Sequence, residues 1–248
     1  MDAQELLGIA KEAALTAGKF LLDNSKAVKK VNKEEGRDIK LKADFDSEQI
    51  VIDFLTKRSD FSILSEEKGL IEGNNAGLTW IIDPLDGSLN YMRGIPLACV
   101  SIGLWKIEEP VLGVIYDFNR LELFSVIVGQ KAWLNDKKIK TSCVIKKNGA
   151  VLCTGFPVNT SFNPRVLTSF TKKVREYKKV RLLGSAALSL AYVASGKVDA
   201  YMENDIMIWD IAAGLAIASG AGGKYSITNG RKLNSLNVIV SNGHFCTE

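Results

Sequence analysis

The sequence predicts a mixed α/β protein of two lobes, an α+β half followed by an α/β half, dividing near residues 141–149. Three observations predict it. An apolar stripe of helical period opens the chain, β-rich runs crowd residues 61–128, and strand-like and helix-like segments alternate after residue 150. No internal repeat, low-complexity tract or long linker interrupts the pattern.

Taken in order, Leu6, Ile9, Ala10, Ala13, Ala17, Phe20 and Leu21 fall on one face of a helix over residues 3–22. A polar stretch from Asn24 to Asp38 leads into Asp38–Asp44, which reads as a short extended segment. A second helix is expected to begin with Asp46 or Ser47 as its N-cap and to carry Val51, Phe54 and Leu55. Strands are expected at Phe61–Ser65, Thr79–Asp83, Ala98–Lys106, Val111–Asp117 and Leu121–Val128. The second half reads as a strand at Ala150–Thr154, a helix over Pro164–Tyr177 and a strand at Val180–Leu183. A helix over Ala186–Ser195, a strand at Val198–Glu203, a helix from about Ile211 to Ser219 and closing strands complete it. Ala212, Ala213, Gly214, Ala216 and Ala218 make that last helix narrow enough to lie close against a sheet. All five prolines fit element ends.

Composition narrows the function. With 248 residues, 46% hydrophobic and 24% charged, the chain can bury a sizeable core. The formal charge of +4 comes from scattered basic residues, so no nucleic-acid partner is expected. The longest mostly apolar stretch, Ile95–Trp105, is too short to span a membrane, and the acidic N-terminus lacks the layout of a signal peptide. Cys99, Cys143, Cys153 and Cys246 show no C-x-x-C spacing, which fits reduced thiols in a cytoplasmic protein. Histidine is the informative absence. His244 is the only one, which removes Ser-His-Asp hydrolases, His-ligated zinc hydrolases and phosphohistidine enzymes together.

Chemistry therefore has to come from acids. Asp83 ends an apolar strand, Pro84 stiffens the turn, and Asp86 lies three residues on. Gly87 permits close backbone approach, and Ser88 is placed to cap a following helix. Two readings stand for this segment: an ordinary Asp-Gly turn, or paired carboxylates beside a helix start that offer cation and anion sites. Glu66 and Glu67 follow another apolar strand, Asp210 opens the small-residue helix as an N-cap, and Asp44 is a candidate cap as well. Each acid alone favours structure. Crowded together they could not all stay ionised without a cation, and oxygen-only ligands select a hard ion such as Mg²⁺. Two such ions about 3.5–4 Å apart suit phosphate ester hydrolysis.

The segments Ser65–Gly69, Asp83–Asn90 and Trp209–Gly214, in that order, resemble the inositol monophosphatase family of Mg²⁺-dependent, lithium-sensitive phosphatases. The likeness covers essentially the whole chain. It implies a single domain, residues 1–248, built as a layered αβαβα sandwich with a metal-binding α+β lobe (1–145) and a substrate-contacting α/β lobe (146–248). It implies that Glu66, Asp83, the Leu85 carbonyl, Asp86 and Asp210 hold two Mg²⁺ ions, with a weaker third near Glu66. Glu67 matches a glutamate that reaches the metals through water. Asp44 and the Ser88 hydroxyl match the pair that orients or deprotonates the attacking water, which strikes phosphorus directly without a phosphoenzyme. Gly87 and Ser88 match phosphate contacts, and Lys33 the basic residue of a mobile loop that closes over the site. Gly184, Ser185, Ala186 and Glu203 match contacts to the substrate alcohol.

This chain departs from the pattern in places. Ser88 stands where Thr is commoner, Ser65 where Gly is usual, and Asn204–Ile208 matches no specificity signature. Leu89-Asn90-Tyr91 looks like the inositol-phosphatase branch, while Gly94-Ile95-Pro96 is similar to archaeal-type enzymes that also accept fructose 1,6-bisphosphate. The expected substrate is a small polyol or sugar phosphate: inositol 1-phosphate first, fructose 1,6-bisphosphate second, a 3′(2′),5′-bisphosphate nucleotide third. The resemblance further implies a homodimer. Asp44-Phe45-Asp46-Ser47-Glu48 mimics an aspartyl-phosphate motif, but Lys40–Ala43 before it is a poor buried strand and Glu48 stands where Thr or Val is expected. A non-catalytic binding module on the same fold is the alternative of another class.

Overall fold

The structure is a computed structural model and describes residues 1–25, 31–35, 38–156 and 162–245; the side chains of residues 31–40, 75 and 76 lie outside the described set. Helix α1 (Ala3–Asp23) begins in a capping box, Asp2 accepting from Gln4 N and Glu5 N while Glu5 accepts from Asp2 N. Strands β1 (Val31–Glu35) and β2 (Asp38–Leu41) pair antiparallel; β2 falls in the segment expected to be extended, and β1 in the stretch that reads as merely polar. Helix α2 (Lys42–Thr56) starts upstream of the expected Asp46 or Ser47 cap. The reason is local: Asp44 Oδ2 accepts from Leu41 N, and the Ser47 hydroxyl turns back to Ala43 O at 2.7 Å.

Next come β3 (Phe61–Ser65), β4 (Gly69–Ile71), β5 (Asn75–Asp86), helix α3 (Ser88–Arg93), β6 (Cys99–Lys106), β7 (Glu109–Asp117), β8 (Glu122–Ile127), β9 (Trp133–Leu134) and β10 (Lys137–Lys138). The strands β3 to β10 form an eight-stranded sheet in the order β10-β9-β8-β7-β6-β5-β3-β4, antiparallel except where β3 and β5 run parallel. Then follow β11 (Val151–Thr154), α4 (Pro164–Val174), β12 (Lys179–Arg181), α5 (Ala186–Ala194), β13 (Ala200–Met207), α6 (Ile208–Gly220), β14 (Lys224–Asn229) and β15 (Ser235–Ser241). Their strands make a five-stranded sheet, β12-β11-β13-β15-β14.

Side-chain alternation sorts these elements into layers. Trp80 and Ile82 of β5, with Val100, Ile102 and Leu104 of β6, pack on the apolar faces of α1 and α2. Ile81 and Trp105 point the other way, into α5 and α6, whose far side meets Tyr201, Val238 and Val240 of the second sheet. Leu152, Ala200 and Met202 then face α4 through Phe170 and Val174. The sequence of layers is αβαβα. Helix α6 lies close on the first sheet because glycine leaves room: a Cβ on Gly113 would stand 2.4 Å from Ala213 O, and Trp105 Nε1 donates to Ala212 O at 3.3 Å. That contact fixes where the N-terminal turn of α6, and Asp210 with it, meets the edge of the sheet.

Candidate active site

Strands β3 and β5 are parallel neighbours, and their register pairs Ser65 with Ile82. The next residues, Glu66 and Asp83, therefore emerge side by side at the carboxyl ends of the two strands, where open sheets expose functional groups. A second register feature recruits Asp86. Asp83 pairs with Ser101 but Asp86 pairs with Cys99, so β5 carries one extra residue there. Without it, a spacing of three would put the two aspartates on opposite faces; with it they share one. Asp210 comes from the third position of α6, whose N-cap is Met207, so Asp210 is not the cap expected of it. One carboxylate oxygen each from Glu66, Asp83 and Asp210 lie within 4.8 Å of one another.

Asp86 stands just outside that trio and is wired into the second lobe. Its Oδ2 accepts from Ala187 N at 2.8 Å and from the Ser185 hydroxyl, at the N-terminus of α5. Ser185 caps α5, accepting from Leu188 N at 3.2 Å. Asn90 holds the two segments together, its Nδ2 donating to both Leu97 O and Leu183 O at 2.8 Å. Gly87 sits between them at φ +88°, where a Cβ would meet Leu97 O at 2.6 Å, so the turn requires glycine. Gly87, not Ser88, occupies the N-cap of the short α3. The Ser88 hydroxyl instead lies 2.7 Å from Asp44 Oδ1 and 2.9 Å from Leu85 O.

A cleft of about 230 Å³ is lined by Glu66, Asp83, Leu85, Asp86, Gly87, Ser88, Gly184, Ser185, Ala186, Glu203 and Asp210 among others. Asp44 stands behind Ser88 and is buried; Glu67 follows Glu66 on the same turn. Lys33 belongs to β1, and its side chain lies outside the described residues. Two groups have roles that the sequence reading does not assign. Glu48, fully buried, accepts from Glu67 N at 3.0 Å and Lys68 N at 3.2 Å, anchoring the turn that carries Glu66. Its spacing of four from Asp44 on one helix was the available signal. Tyr201, also buried, donates its hydroxyl to Glu203 at 2.8 Å.

Burial first, then repulsion from Glu66, Asp86 and Asp210, lifts the Asp83 carboxyl well above its ordinary range. Asp210 rises likewise through burial and the charges of Glu66, Asp86 and Glu203. Burial raises Asp86 to about 6 against the pull of its donors at Ser185 and Ala187. Asp44 goes to about 7, through burial and the nearby Glu66 and Glu67. Glu203 also goes to about 7, through burial, despite its bond from Tyr201. These groups resist ionising together in one crevice, and a cation among them removes the conflict. Their donor set fits a hard divalent ion, because the converging atoms are all carboxylate oxygens.

Among the described residues no helix is long and apolar enough to cross a membrane. An inositol-1-monophosphatase of Mesorhizobium japonicum is 36% identical over 248 residues, covering 98% of this chain and 93% of its own. The Nus factor SuhB of Escherichia coli K12 is 34% identical over 243 residues, 96% of this chain and 91% of its own. The crystal structure of the extragenic suppressor protein suhB from Bartonella henselae superposes with a TM-score of 0.86 at 33% identity, covering 97% of this chain and 95% of that one. The profile of the inositol monophosphatase family matches residues 2–247, and with these relatives it establishes that the chain belongs to the inositol monophosphatase family.

Proposed function

We propose that this family member is a Mg²⁺-dependent phosphomonoesterase that hydrolyses a small polyol or sugar phosphate, inositol 1-phosphate foremost. The observation that carries the reading is the convergence of Glu66, Asp83 and Asp210, from three separated segments, within 4.8 Å. With the Leu85 carbonyl and Asp86 they are the groups that would hold the metal. When bound, Mg²⁺ supplies the positive charge that offsets these acids and polarises the phosphate ester.

The chain's own residues do the rest. Asp44, raised to about 7, is tuned near neutrality to take a proton from water, and the Ser88 hydroxyl between it and the cleft orients that water. Attack falls directly on phosphorus, with no phosphoenzyme. Glu67 acts from behind Glu66 through water, while the backbone N–H groups of Gly87 and Ser88 meet the phosphate. Gly184, Ser185, Ala186 and Glu203 form the side of the cleft that receives the leaving alcohol, and Lys33 closes over the phosphate. The chain acts as one domain with lobes 1–145 and 146–248, and the active unit is a homodimer.

A phosphate-release panel tests the reading: inositol 1-phosphate, fructose 1,6-bisphosphate, 3′-phosphoadenosine 5′-phosphate and histidinol phosphate, each with Mg²⁺ and with chelator. Turnover that requires Mg²⁺ and favours inositol 1-phosphate is the expected result. Preference for either bisphosphate would move the substrate within the family. Several relatives carry the name Nus factor SuhB, which favours a second reading as a partner-binding module. Folded protein that binds Mg²⁺ yet turns over none of these esters would select that reading.

A further inference from the structure

Tyr201 and Glu203 stand two apart on β13, so their side chains share one face of the second sheet, and both line the catalytic cleft. The Tyr201 hydroxyl donates to Glu203 Oε2 at 2.8 Å, and among the described residues nothing donates to Oε1. The parallel strands β11 and β13 pair Thr154 with Met202, and one step further along sets Gly155 beside Glu203. A Cβ on Gly155 would fall 2.5 Å from Oε2 and 2.8 Å from Oε1. The Gly155 backbone lies outside the left-handed region, so it is the carboxylate, not the turn, that calls for glycine. Tyr201 and Gly155 thus hold the Glu203 carboxylate from two sides.

This arrangement exceeds what the core requires. A buried phenol needs one acceptor, and a backbone carbonyl supplies it without drawing a charge out of water. Here the acceptor is an acid with no Lys or Arg paired to it among the described residues, and burial raises it to about 7. Tyr201 stays a donor, because burial and the neighbouring Glu203 charge hold its pKa well above the usual range. With Oε2 occupied, Oε1 is left as an acceptor on the side of the cleft that receives the leaving alcohol. An acid held at a cost to stability, with one oxygen spent and one unspent, suits recognition of a hydroxyl.

We propose that Tyr201 and Gly155 are positioning residues for Glu203: Tyr201 occupies Oε2 and Gly155 keeps the carboxylate's place clear, so that Oε1 accepts a second hydroxyl carried on the leaving alcohol. The proposal deepens the phosphatase reading and rests on it. The test compares glycerol 2-phosphate with isopropyl phosphate in Mg²⁺, two esters of one carbon skeleton that differ only in free hydroxyls. The hydroxyls should raise kcat/KM about 10–100-fold, since one hydrogen bond to a charged group discriminates on that scale. Tyr201→Phe keeps the ring and removes the donor, and should lower that ratio roughly 10-fold. Gly155→Ala, which displaces only the end of a flexible side chain, should lower it as well. In a Glu203→Gln background Tyr201→Phe should change the ratio no further, because it acts through Glu203. A ratio near one in the unsubstituted protein, or one that survives both substitutions, would overturn the proposal. So would losses that fall equally on both esters, or that add in the double variant. If neither ester is hydrolysed, the phosphatase reading fails separately, and calorimetric binding of the same two esters decides. A preference for glycerol 2-phosphate that Tyr201→Phe abolishes supports the positioning role; equal affinity, or no binding, removes it.

Discussion

The acids of the cleft fall into two sets that the fold treats differently. The inner acids face one another: oxygens of Glu66, Asp83 and Asp210 converge within 4.8 Å, and among the described residues the backbone donor to Asp83 is Leu85 N at 3.0 Å. The outer acids face donors. Asp44 has Leu41 N and Ser88, Glu48 has Glu67 N and Lys68 N, and Asp86 has Ala187 N and Ser185. Donors from the protein form a frame that fixes where an acid sits, and acids pressed on one another call for a ligand of opposite charge; Asp86 has both, since donors hold its Oδ2 while the charge of Glu66 bears on it. The inner set needs a parallel strand pair and the start of α6, and the outer contacts are long-range as well, apart from Asp44 with Leu41: they tie α2 to the turn after β3 and to Ser88, and Asp86 to α5.

The sharpest way to break this division is to neutralise an inner acid. Asp83→Asn or Asp210→Asn is expected to cost on the order of 10³-fold or more in kcat, about 4 kcal/mol of lost charge stabilisation. In chelator the same variants should melt a few degrees higher than the unsubstituted protein, because a buried repulsion is gone. Asp86→Asn should gain less, since Asn weakens the bonds from Ala187 and Ser185. Calorimetry in EDTA with kinetics in Mg²⁺ checks both signs. Equal melting gains for Asp83→Asn and Asp86→Asn would erase the distinction between the two sets.

Acidity gives the same contrast without mutation. A carboxyl whose folded pKa is raised binds its proton more tightly when folded, so its contribution is complete below the unfolded pKa near 4 and is lost as pH rises through the folded value. With Asp86 at about 6 and Asp44 and Glu203 at about 7, these groups should cost the metal-free protein stability from about pH 4 to pH 7, the loss levelling off above that. Mg²⁺ should flatten that slope, because it favours the ionised acids. Melting temperature measured across that range, with chelator and with Mg²⁺, reads the effect; a chelated protein that is most stable at pH 8 would reverse the assigned shifts.

Removing the link between frame and cleft is expected to cost less. Ser88→Ala deletes the hydroxyl that bridges Asp44 and the Leu85 carbonyl, and kcat should drop about 10–100-fold while Mg²⁺ binding persists. Ser88→Thr keeps the hydroxyl and should stay near the starting activity. Kinetics beside calorimetric Mg²⁺ titration separates the two; loss of metal binding in Ser88→Ala would place Ser88 in the frame instead.

Why the acids were readable in the sequence and their supports were not follows from range. Strand ends at Ser65 and Asp83 show in local hydrophobic pattern, so Glu66 and Asp83 stand out, and the family resemblance names Asp210. The bulge that turns Asp86 to the same face is a register property of β5 against β6, invisible in either strand alone. The start of α2 was misplaced because Asp44 and Ser47 bond backward to Leu41 and Ala43, whereas the cap rule looks forward. Strand β1 carries no alternating apolar face, whereas β2 falls in the segment that reads as extended, and the cap expected at Asp210 falls on Met207 instead. The layers followed from periodicity; the glycine contacts that set their spacing, such as Gly113 against Ala213, depend on residues a hundred apart.

Glu48 provides the finest test, because it touches nothing in the cleft yet holds the turn that does. Its Oε1 receives both Glu67 N and Lys68 N, so Glu48→Gln keeps an acceptor of the same shape but gives up the charge that strengthens both bonds. The expected loss is about 1–2 kcal/mol of stability, together with roughly 10-fold weaker Mg²⁺ binding as the Glu66 turn loosens. Saturating Mg²⁺ should then restore kcat almost fully, since a positioning defect in the frame is repaired when the ligand orders the turn. Mg²⁺ titration calorimetry and kcat at saturating metal decide it together: weakened binding with recovered kcat keeps Glu48 in the frame, whereas a kcat deficit that persists at saturation would move it to the inner set.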